Sequence, residues 1–264
     1  MRDALKRVPP LYWVARRARL AVGDLLPARG VPGVPGPVHG NDVMFVGSSP
    51  EEYAATGRSA AEFVAAAVTA ADIVPAAGLD LGCGHGRVLR HLVDLVPAAW
   101  TACDLDASGV RFCSRAFAAT PVRSRIPLSA VTFPATYDVV WMGSLVTHLG
   151  EAALDDLWAT LGACTAPTAI VAMSVLRPAM AVHLEMFGPG MQQHLGDVER
   201  RLEAAGVAYV PYPHYARGDY GVTFHDPDRL PAQVAAAGGR TVELMAHEVG
   251  AWQGMQDYVA LRFS

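Results

Sequence analysis

The sequence predicts an α/β protein with a mostly parallel seven-stranded sheet and helices on both of its faces. Short apolar runs alternate with segments of helical periodicity between residues 77 and 176, which is typical of strand–helix–strand units. The first of these strands leads into a glycine-rich turn, GLDLGCGHGR at residues 78–87, and then into a helix. Such a turn lets the backbone approach a ligand closely, so we expect a ligand site there.

The composition excludes several classes of protein. Of the 264 residues, 52% are hydrophobic and 17% are charged, which supports a sizeable core. The net charge of −4 argues against a nucleic-acid-binding protein. Neither a signal peptide nor an apolar run long enough to span a membrane is visible, and the four cysteines form no CxxC pair. We therefore expect a soluble, cytoplasmic protein with reduced thiols and no stable membrane insertion.

Residues 1–41 are predicted to precede the main domain, which covers residues 42–264. The first thirty residues carry seven Arg or Lys against two Asp. They are interpreted either as a lid helix that packs on the domain or as a surface helix that touches anionic lipid or a partner. Residues 27–40 are rich in Pro and Gly and predict a linker without regular structure; they read PARGVPGVPGPVHG.

The elements of the main domain are predicted in chain order. Two helices are expected between residues 50 and 70, separated at residues 56–59, with Ser59 and Glu62 as a capping box for the second. Strands are expected at residues 77–81, 99–103, 121–123, 137–142 and 169–176, and helices at residues 86–96, 108–119 and 151–164.

Residues 178–225 depart from this alternation and are predicted to form an insertion after strand five that caps the acceptor. The insertion contains a charged helix at residues 192–205 and a stretch rich in Pro and Tyr. A helix capped by Asp226 follows, and two strands at residues 240–246 and 255–263 close the sheet.

The spacing of the glycine turn narrows the choice of ligand. A dinucleotide site would show GxGxxG, whereas this turn reads Gly82-x-Gly84-x-Gly86 with Asp80 before it. A carboxylate at that position repels a pyrophosphate and favours a ligand with positive charge. S-adenosylmethionine fits because it carries a sulfonium and an ammonium and has no phosphate.

Asp104, at the end of the second strand, is the expected ribose ligand. It lies 22 residues beyond Gly82, close to the spacing of an acidic ribose contact. The alternative is an N-cap of the following helix, a role that Asp106 or Ser108 can take instead.

Three segments, GLDLGCGHGRVLRHL, ACDLDASGVRFC and YDVVWMGSLVTHL, resemble the class I, Rossmann-like S-adenosylmethionine-dependent methyltransferases. The similarity is strongest to a bacterial methyltransferase-domain group with GCGxGRVLRHL as its first motif. The resemblance implies a methyltransferase with a Rossmann-like fold, an N-terminal helical lid and S-adenosylmethionine as cofactor. The cofactor-binding residues predicted here are Asp80, Gly82, Cys83, Gly84, Arg87, Asp104, Leu105, Met142 and Gly143. The family's acidic adenine contact near strand three is missing, and Ser124 or a backbone amide is expected to replace it.

His148 is the candidate catalytic residue. It follows the fourth strand at the sheet edge where ligands of open α/β folds bind, and histidine is suited to removing a proton from a hydroxyl acceptor. The alternative is a capping or packing role at the start of the next helix. The candidate substrate residues are Tyr53, Tyr215, His225 and Trp252.

We therefore expect methylation of a small-molecule acceptor, with O-methylation of a sugar or secondary-metabolite hydroxyl as the first hypothesis. The alternatives are an N- or C-methyltransferase, or a non-catalytic cofactor-binding partner or regulator. A nicotinamide-dependent oxidoreductase is disfavoured by Asp80 and by the lack of GxGxxG. No metal is expected because the ends of strands four and five carry no Asp or Asn cluster, and no HExxH motif is present. The sequence leaves the oligomeric state open.

Overall fold

The computed structural model describes residues 28–213 and 220–264. The basic segment up to residue 27 and the candidate Tyr215 lie outside the described residues. The strands are β1 (Arg29–Val31), β2 (Val34–Val38), β3 (Ala77–Leu81), β4 (Ala99–Asp104), β5 (Thr120–Arg123), β6 (Tyr137–Met142), β7 (Thr165–Val175), β8 (Val207–Pro211), β9 (Gly221–His225), β10 (Val242–Trp252) and β11 (Gln256–Phe263). The helices are α1 (Val43–Val46), α2 (Pro50–Ala70), α3 (Leu89–Leu95), α4 (Ala107–Phe117), α5 (Glu151–Cys164), α6 (Leu195–Ala205) and α7 (Leu230–Gly238).

The central sheet has seven strands in the order β10-β11-β7-β6-β3-β4-β5, which confirms the predicted fold class. Strands β3 to β7 pair in parallel, and β11 lies antiparallel between β7 and β10. The chain crosses from the β5 edge back to β6 on the other side of β3. This reversal of strand order places the crevice for a ligand beyond the carboxyl ends of β3 and β6.

The sheet has a hydrophobic core on each face. Along β6 the side chains alternate, so that Val139 and Trp141 join one cluster while Val140 and Met142 join the other. The first cluster includes buried residues of α2, α3 and α4, and the second includes buried residues of α5 and α7. Because both faces are covered, the central strands are largely apolar. Strands β3 and β6 and helix α5 have the predicted bounds.

The prediction of two helices between residues 50 and 70 is wrong, because α2 is continuous. Its capping box is formed by Ser49 and Glu52 and not by Ser59 and Glu62. Gly57 does not break the helix. A Cβ at Gly57 would lie 2.1 Å from the carbonyl oxygen of Arg87, so glycine there lets α2 approach the chain just beyond the glycine turn.

The prediction of an irregular linker at residues 27–40 is also wrong, since β1 and β2 form an antiparallel hairpin. The cause is Arg90 of α3, which is 2% exposed and donates from Nη1 to the carbonyls of Pro35 and Pro37, at 2.9 and 3.1 Å. These carbonyls satisfy a buried cation from a distant part of the chain, and the hairpin thereby becomes ordered.

Several boundaries differ from the prediction, and three of them concern α3, β10 and α7. Helix α3 begins at Leu89, after a turn, and β10 continues to Trp252. Helix α7 begins at Leu230, because the Asp226 carboxylate accepts from the backbone N–H of Asp228 and closes a separate turn. Asp226 is therefore not the N-cap of that helix.

The segment between β7 and α7 contains α6, the β8–β9 hairpin and a cluster of buried side chains that includes Leu184, Val198 and Phe224. The hairpin is attached near the carboxyl end of the sheet: the Thr223 hydroxyl donates to the carbonyl of Leu149 at 2.6 Å. The domain assignment, with an acceptor cap at residues 178–225, stays a prediction. Within the described ranges, no helix has the length and apolar character needed to cross a membrane.

The helix packing at Gly57 can be tested against a second helical glycine. We expect Gly57→Ala to lower the free energy of unfolding by about 1–3 kcal/mol, because the methyl group overlaps the Arg87 carbonyl. The control is Gly196→Ala in α6, where a Cβ meets nothing within 4 Å, and stability should rise by about 0.4–1 kcal/mol. Urea unfolding measures both, and equal effects of the two substitutions would contradict the close approach of α2.

Candidate functional site

The glycine turn after β3 has a backbone that requires glycine. Gly82, Gly84 and Gly86 have φ of +83°, +50° and +73°, in the left-handed region. The N–H groups of Gly82 and Cys83 both donate to the carbonyl of Cys103, at 2.8 and 3.2 Å, which ties the turn to β4. A Cβ at Gly84 would meet nothing within 4 Å, so this part of the turn faces open space.

Asp104 shapes the turn from the neighbouring strand. Its Oδ2 accepts from the N–H of Gly84 at 2.8 Å, and its Oδ1 accepts from the N–H of Asp106 at 2.7 Å. Asp106 caps α4 by accepting from Ser108, so the capping role that competed for Asp104 belongs to Asp106. Leu105, between the two carboxylates, is 53% exposed and offers an apolar surface beside Asp104.

Asp80 is the second carboxylate of the site and is 2% exposed. Burial, and to a smaller extent the charge of Asp104, raises the pKa of Asp80 to about 8. Two carboxylates thus flank the turn, one in β3 and one at the end of β4. A cationic group bound beside them favours the ionised form of both carboxylates, whereas a phosphate opposes it.

Arg87, directly after the turn, is brought together with Tyr53 and Trp252. The guanidinium carbon lies 5.5 Å from the centroid of the Tyr53 ring and 5.2 Å from that of Trp252. Desolvation lowers the pKa of Arg87. Tyr53 itself is fully buried, and its hydroxyl donates to Asp42 at 2.6 Å and accepts from Arg90 at 3.0 Å.

The loop after β6 is held by a polar network. A Cβ at Gly143 would lie 3.1 Å from Cη2 of Trp252, and Ser144 has a left-handed φ of +54°. The Ser144 N–H donates to the Ser174 hydroxyl at 2.7 Å, Ser174 donates to Gln256 Oε1 at 2.7 Å, and Gln256 Nε2 donates to the Ser144 hydroxyl at 3.0 Å. Sequence reasoning missed the role of Ser174, since the three residues come from three distant segments.

His148 ends a short 3₁₀ helix and lies against the β8–β9 hairpin. Its Nδ1 is 2.9 Å from the carbonyl oxygen of Gly221. A carbonyl only accepts, so Nδ1 carries the proton and Nε2 carries the lone pair. Burial lowers the pKa of His148, which keeps the ring neutral at pH 7.

Two tyrosines of the Pro- and Tyr-rich stretch, Tyr212 and Tyr220, lie beside His148. The His148 ring stacks on that of Tyr220 at 5.0 Å between centroids and lies 6.1 Å from that of Tyr212. The Pro- and Tyr-rich stretch is the signal for these residues in the sequence. The sequence does not show that Tyr212 and Tyr220 pair with each other at the β8–β9 hairpin.

His225 is fully buried, and its Nε2 lies 3.2 Å from the carbonyl oxygen of Val146. Burial lowers the pKa of His225 to about 4, so the neutral ring donates to that carbonyl. His225 therefore connects β9 to the short helix that carries His148.

Comparisons with known proteins agree with this geometry. A family model described as a methyltransferase domain matches residues 79–168, a segment that includes Asp80, the glycine turn, Asp104, Met142 and His148. The match confirms the predicted enzyme class, a methyltransferase. No curated protein matches the chain by sequence.

Solved structures share the fold. The glycopeptide N-methyltransferase MtfA is 17% identical with a TM-score of 0.52, over 79% of this chain and 90% of MtfA. The 1,6-didemethyltoxoflavin-N1-methyltransferase of Burkholderia thailandensis is 17% identical with a TM-score of 0.52, over 80% of this chain and 78% of that chain. The CcbJ methyltransferase of Streptomyces caelestis is 16% identical with a TM-score of 0.51, over 80% of this chain and 96% of that chain.

The raised pKa of Asp80 makes a prediction for the protein without cofactor. The folded state holds the Asp80 proton up to about pH 8 while the unfolded chain releases it near its ordinary value, so the contribution of Asp80 to stability is lost as pH rises between these values. We expect Asp80→Asn to unfold like the wild type at pH 4 and to be more stable by a few kcal/mol at pH 8.

Urea unfolding across this pH range measures the difference between the two proteins. The matched control is Asp155→Asn, which removes an exposed carboxylate of α5 and should leave the pH dependence unchanged. A constant difference between wild type and Asp80→Asn at every pH would show that Asp80 ionises normally.

Proposed function

We propose that this protein transfers the methyl group of S-adenosylmethionine to a hydroxyl of a small molecule, a sugar or a secondary metabolite, with His148 as general base. The observation that carries this proposal is the hydrogen bond between Nδ1 of His148 and the Gly221 carbonyl. It orients a neutral imidazole whose Nε2 has no hydrogen-bond partner among the described residues.

The residues around the glycine turn fit the cofactor. Asp80 and Asp104 suit a ligand with cationic groups, and the open face at Gly84 allows close approach of a ligand to the backbone. Asp104 retains lone pairs for ribose hydroxyls beyond its contacts with Gly84 and Asp106. The bound cofactor supplies a methyl group on a sulfonium, already activated for displacement. Leu105, Met142 and Gly143 are proposed to complete this pocket.

The protein's remaining task is to position the acceptor and to remove its proton. Nε2 of His148 accepts the proton of the acceptor hydroxyl as the oxygen becomes nucleophilic, and the Gly221 carbonyl stabilises the imidazolium through Nδ1–H. The rings of Tyr212 and Tyr220 provide aromatic surfaces suited to a sugar ring or a planar molecule. Tyr215 and Trp252 are proposed as further acceptor contacts.

MtfA is a glycopeptide N-methyltransferase, and the Burkholderia enzyme is a 1,6-didemethyltoxoflavin-N1-methyltransferase. They support a small-molecule or natural-product acceptor and keep an amine acceptor as the second candidate. A hydroxyl is favoured here because a neutral, oriented base is most useful for an acceptor that has to lose a proton to react.

The ribose contact can be tested by cofactor affinity. We expect Asp104→Ala to weaken binding of S-adenosylhomocysteine by about 1–3 kcal/mol, because a charged hydrogen-bonding partner is lost. The control Asp106→Ala removes the neighbouring cap of α4 and should lower stability by about 1 kcal/mol while leaving the affinity unchanged. Calorimetry measures both variants, and an unchanged affinity in Asp104→Ala would place the ribose elsewhere.

The base is tested by turnover. With an acceptor chosen from a panel of sugars and phenolic compounds, we expect His148→Ala to reduce kcat by about 100-fold or more. Affinity for S-adenosylhomocysteine should stay the same, whereas the exposed control His183→Ala should change neither quantity.

The pH profile distinguishes a base from a packing residue. Since the pKa of His148 is lowered, wild-type kcat should fall towards acid pH, as the ring becomes protonated, with a midpoint below the ordinary pKa of histidine. This acid limb should be absent from the residual activity of His148→Ala. Wild-type turnover in that variant would return His148 to a structural role.

A further inference from the structure

Two side chains of β9 hold the short 3₁₀ helix that carries His148 at both of its ends. The Thr223 hydroxyl donates to the carbonyl of Leu149, the residue directly after His148, at 2.6 Å. Nε2 of His225 lies 3.2 Å from the carbonyl oxygen of Val146, two residues before His148, and donates to it. Thr223 and His225 are two positions apart in β9, so both side chains point to the same face of the strand.

These contacts are shielded from solvent, because Thr223 and His225 are both 0% exposed. A carbonyl that loses its donor in such a place stays without a partner, which makes each hydrogen bond costly to break. The strand itself is fixed on both sides. It pairs with β8 along its whole length, and the N–H of His225 donates to the carbonyl of Leu176, next to β7, at 2.8 Å. Strand β9 is therefore a firm support for the 3₁₀ helix.

The position of the His148 ring depends on this support. The Gly221 carbonyl fixes the direction of the ring, but the backbone that carries the ring is held by Thr223 and His225. Proton removal requires Nε2 of His148 within hydrogen-bond reach of the acceptor oxygen, and a misplacement of about 1 Å can cost about 100-fold in rate. The residues that fix this backbone thus affect the rate without touching the acceptor.

We propose that Thr223 and His225 are positioning residues for the methyl transfer, which place Nε2 of His148 against the acceptor hydroxyl. His225 is fully buried and acts through the carbonyl of Val146. Thr223 acts in the same way through the carbonyl of Leu149. The inference rests on the proposed function, since it concerns the same base.

The test removes one buried hydroxyl without changing the shape of the side chain. On an acceptor from the panel above, Thr223→Val should lower kcat about tenfold and leave the KM for the acceptor and the affinity for S-adenosylhomocysteine within about twofold. Thr223→Ser keeps the donor and should keep most of the wild-type kcat.

The matched control is Thr165→Val at the start of β7, where a buried hydroxyl donates to the carbonyl of Leu161 at 2.7 Å. It removes the same kind of hydrogen bond away from His148. Thr165→Val should lower the melting temperature by an amount similar to that of Thr223→Val and leave kcat unchanged.

A double-mutant cycle shows whether Thr223 acts through His148. In the His148→Ala background, Thr223→Val should cause no further loss of kcat. NMR of the imidazole nitrogens is a second readout that needs no acceptor, with the His148 signals identified by their loss in His148→Ala. Wild-type His148 should show one tautomer, with the proton on Nδ1, whereas Thr223→Val should show a mixture and Thr165→Val should not.

Unchanged kcat in Thr223→Val would overturn the inference, and so would an equal loss of kcat with and without His148. If no acceptor of the panel is methylated, the NMR result decides, and a single tautomer in Thr223→Val would overturn the inference. Wild-type kcat in His148→Ala would instead contradict the proposed base, which separates failure of the proposed function from failure of this inference.

Should Thr223→Val fail to fold, His225→Gln and His225→Asn replace it. The glutamine amide nitrogen can take the position of Nε2 and donate to the carbonyl of Val146, whereas the shorter asparagine side chain leaves that carbonyl without its donor. Only His225→Asn should then show the loss of kcat and the mixture of tautomers, and equal behaviour of the two variants would overturn the inference.

Discussion

The attachment of the glycine turn to β4 is the interaction on which the rest of the site depends. The Cys103 carbonyl receives two N–H groups of the turn, and the Asp104 carboxylate receives a third, from Gly84. These bonds hold the three alternating left-handed glycines of the turn in one conformation, at an entropic cost that only a fixed partner can offset. The residues before and after the turn, Asp80 and Arg87, take their positions from it.

The parts of the fold that the sequence predicts well are those whose structure is decided locally. Strand β6 and helix α5 are bounded by polar and turn residues and have the predicted limits. The predictions fail where a residue distant in the sequence determines the local structure. The break predicted at Gly57 ignores the Arg87 carbonyl that packs there, and the linker predicted at residues 27–40 ignores the donors of Arg90. Neither contact leaves a periodic signal in the sequence.

The same distinction applies to the candidate site. The cofactor side is predicted from contiguous motifs, because a glycine turn and the strand beside it must carry the ligand's main contacts. The sequence does not predict the surroundings of His148 and Ser144, since these residues combine the loop after β6 with β7, β9 and β11. A motif identifies Arg87 as a neighbour of the turn, but only the folded chain shows that its guanidinium is buried between two rings.

The loop at residues 143–148 joins two halves of the site that have different supports. Its beginning is held to the sheet, where Ser174 and Gln256 fix the left-handed Ser144 beside the cofactor side. Its end is held by the hairpin, where Gly221 orients His148. Because these supports are separate, substitutions in the hairpin can change the aromatic surfaces around His148 while the bonds of Ser144 stay intact. On the proposed function, acceptor preference can therefore change without rebuilding the residues proposed to hold the methyl donor.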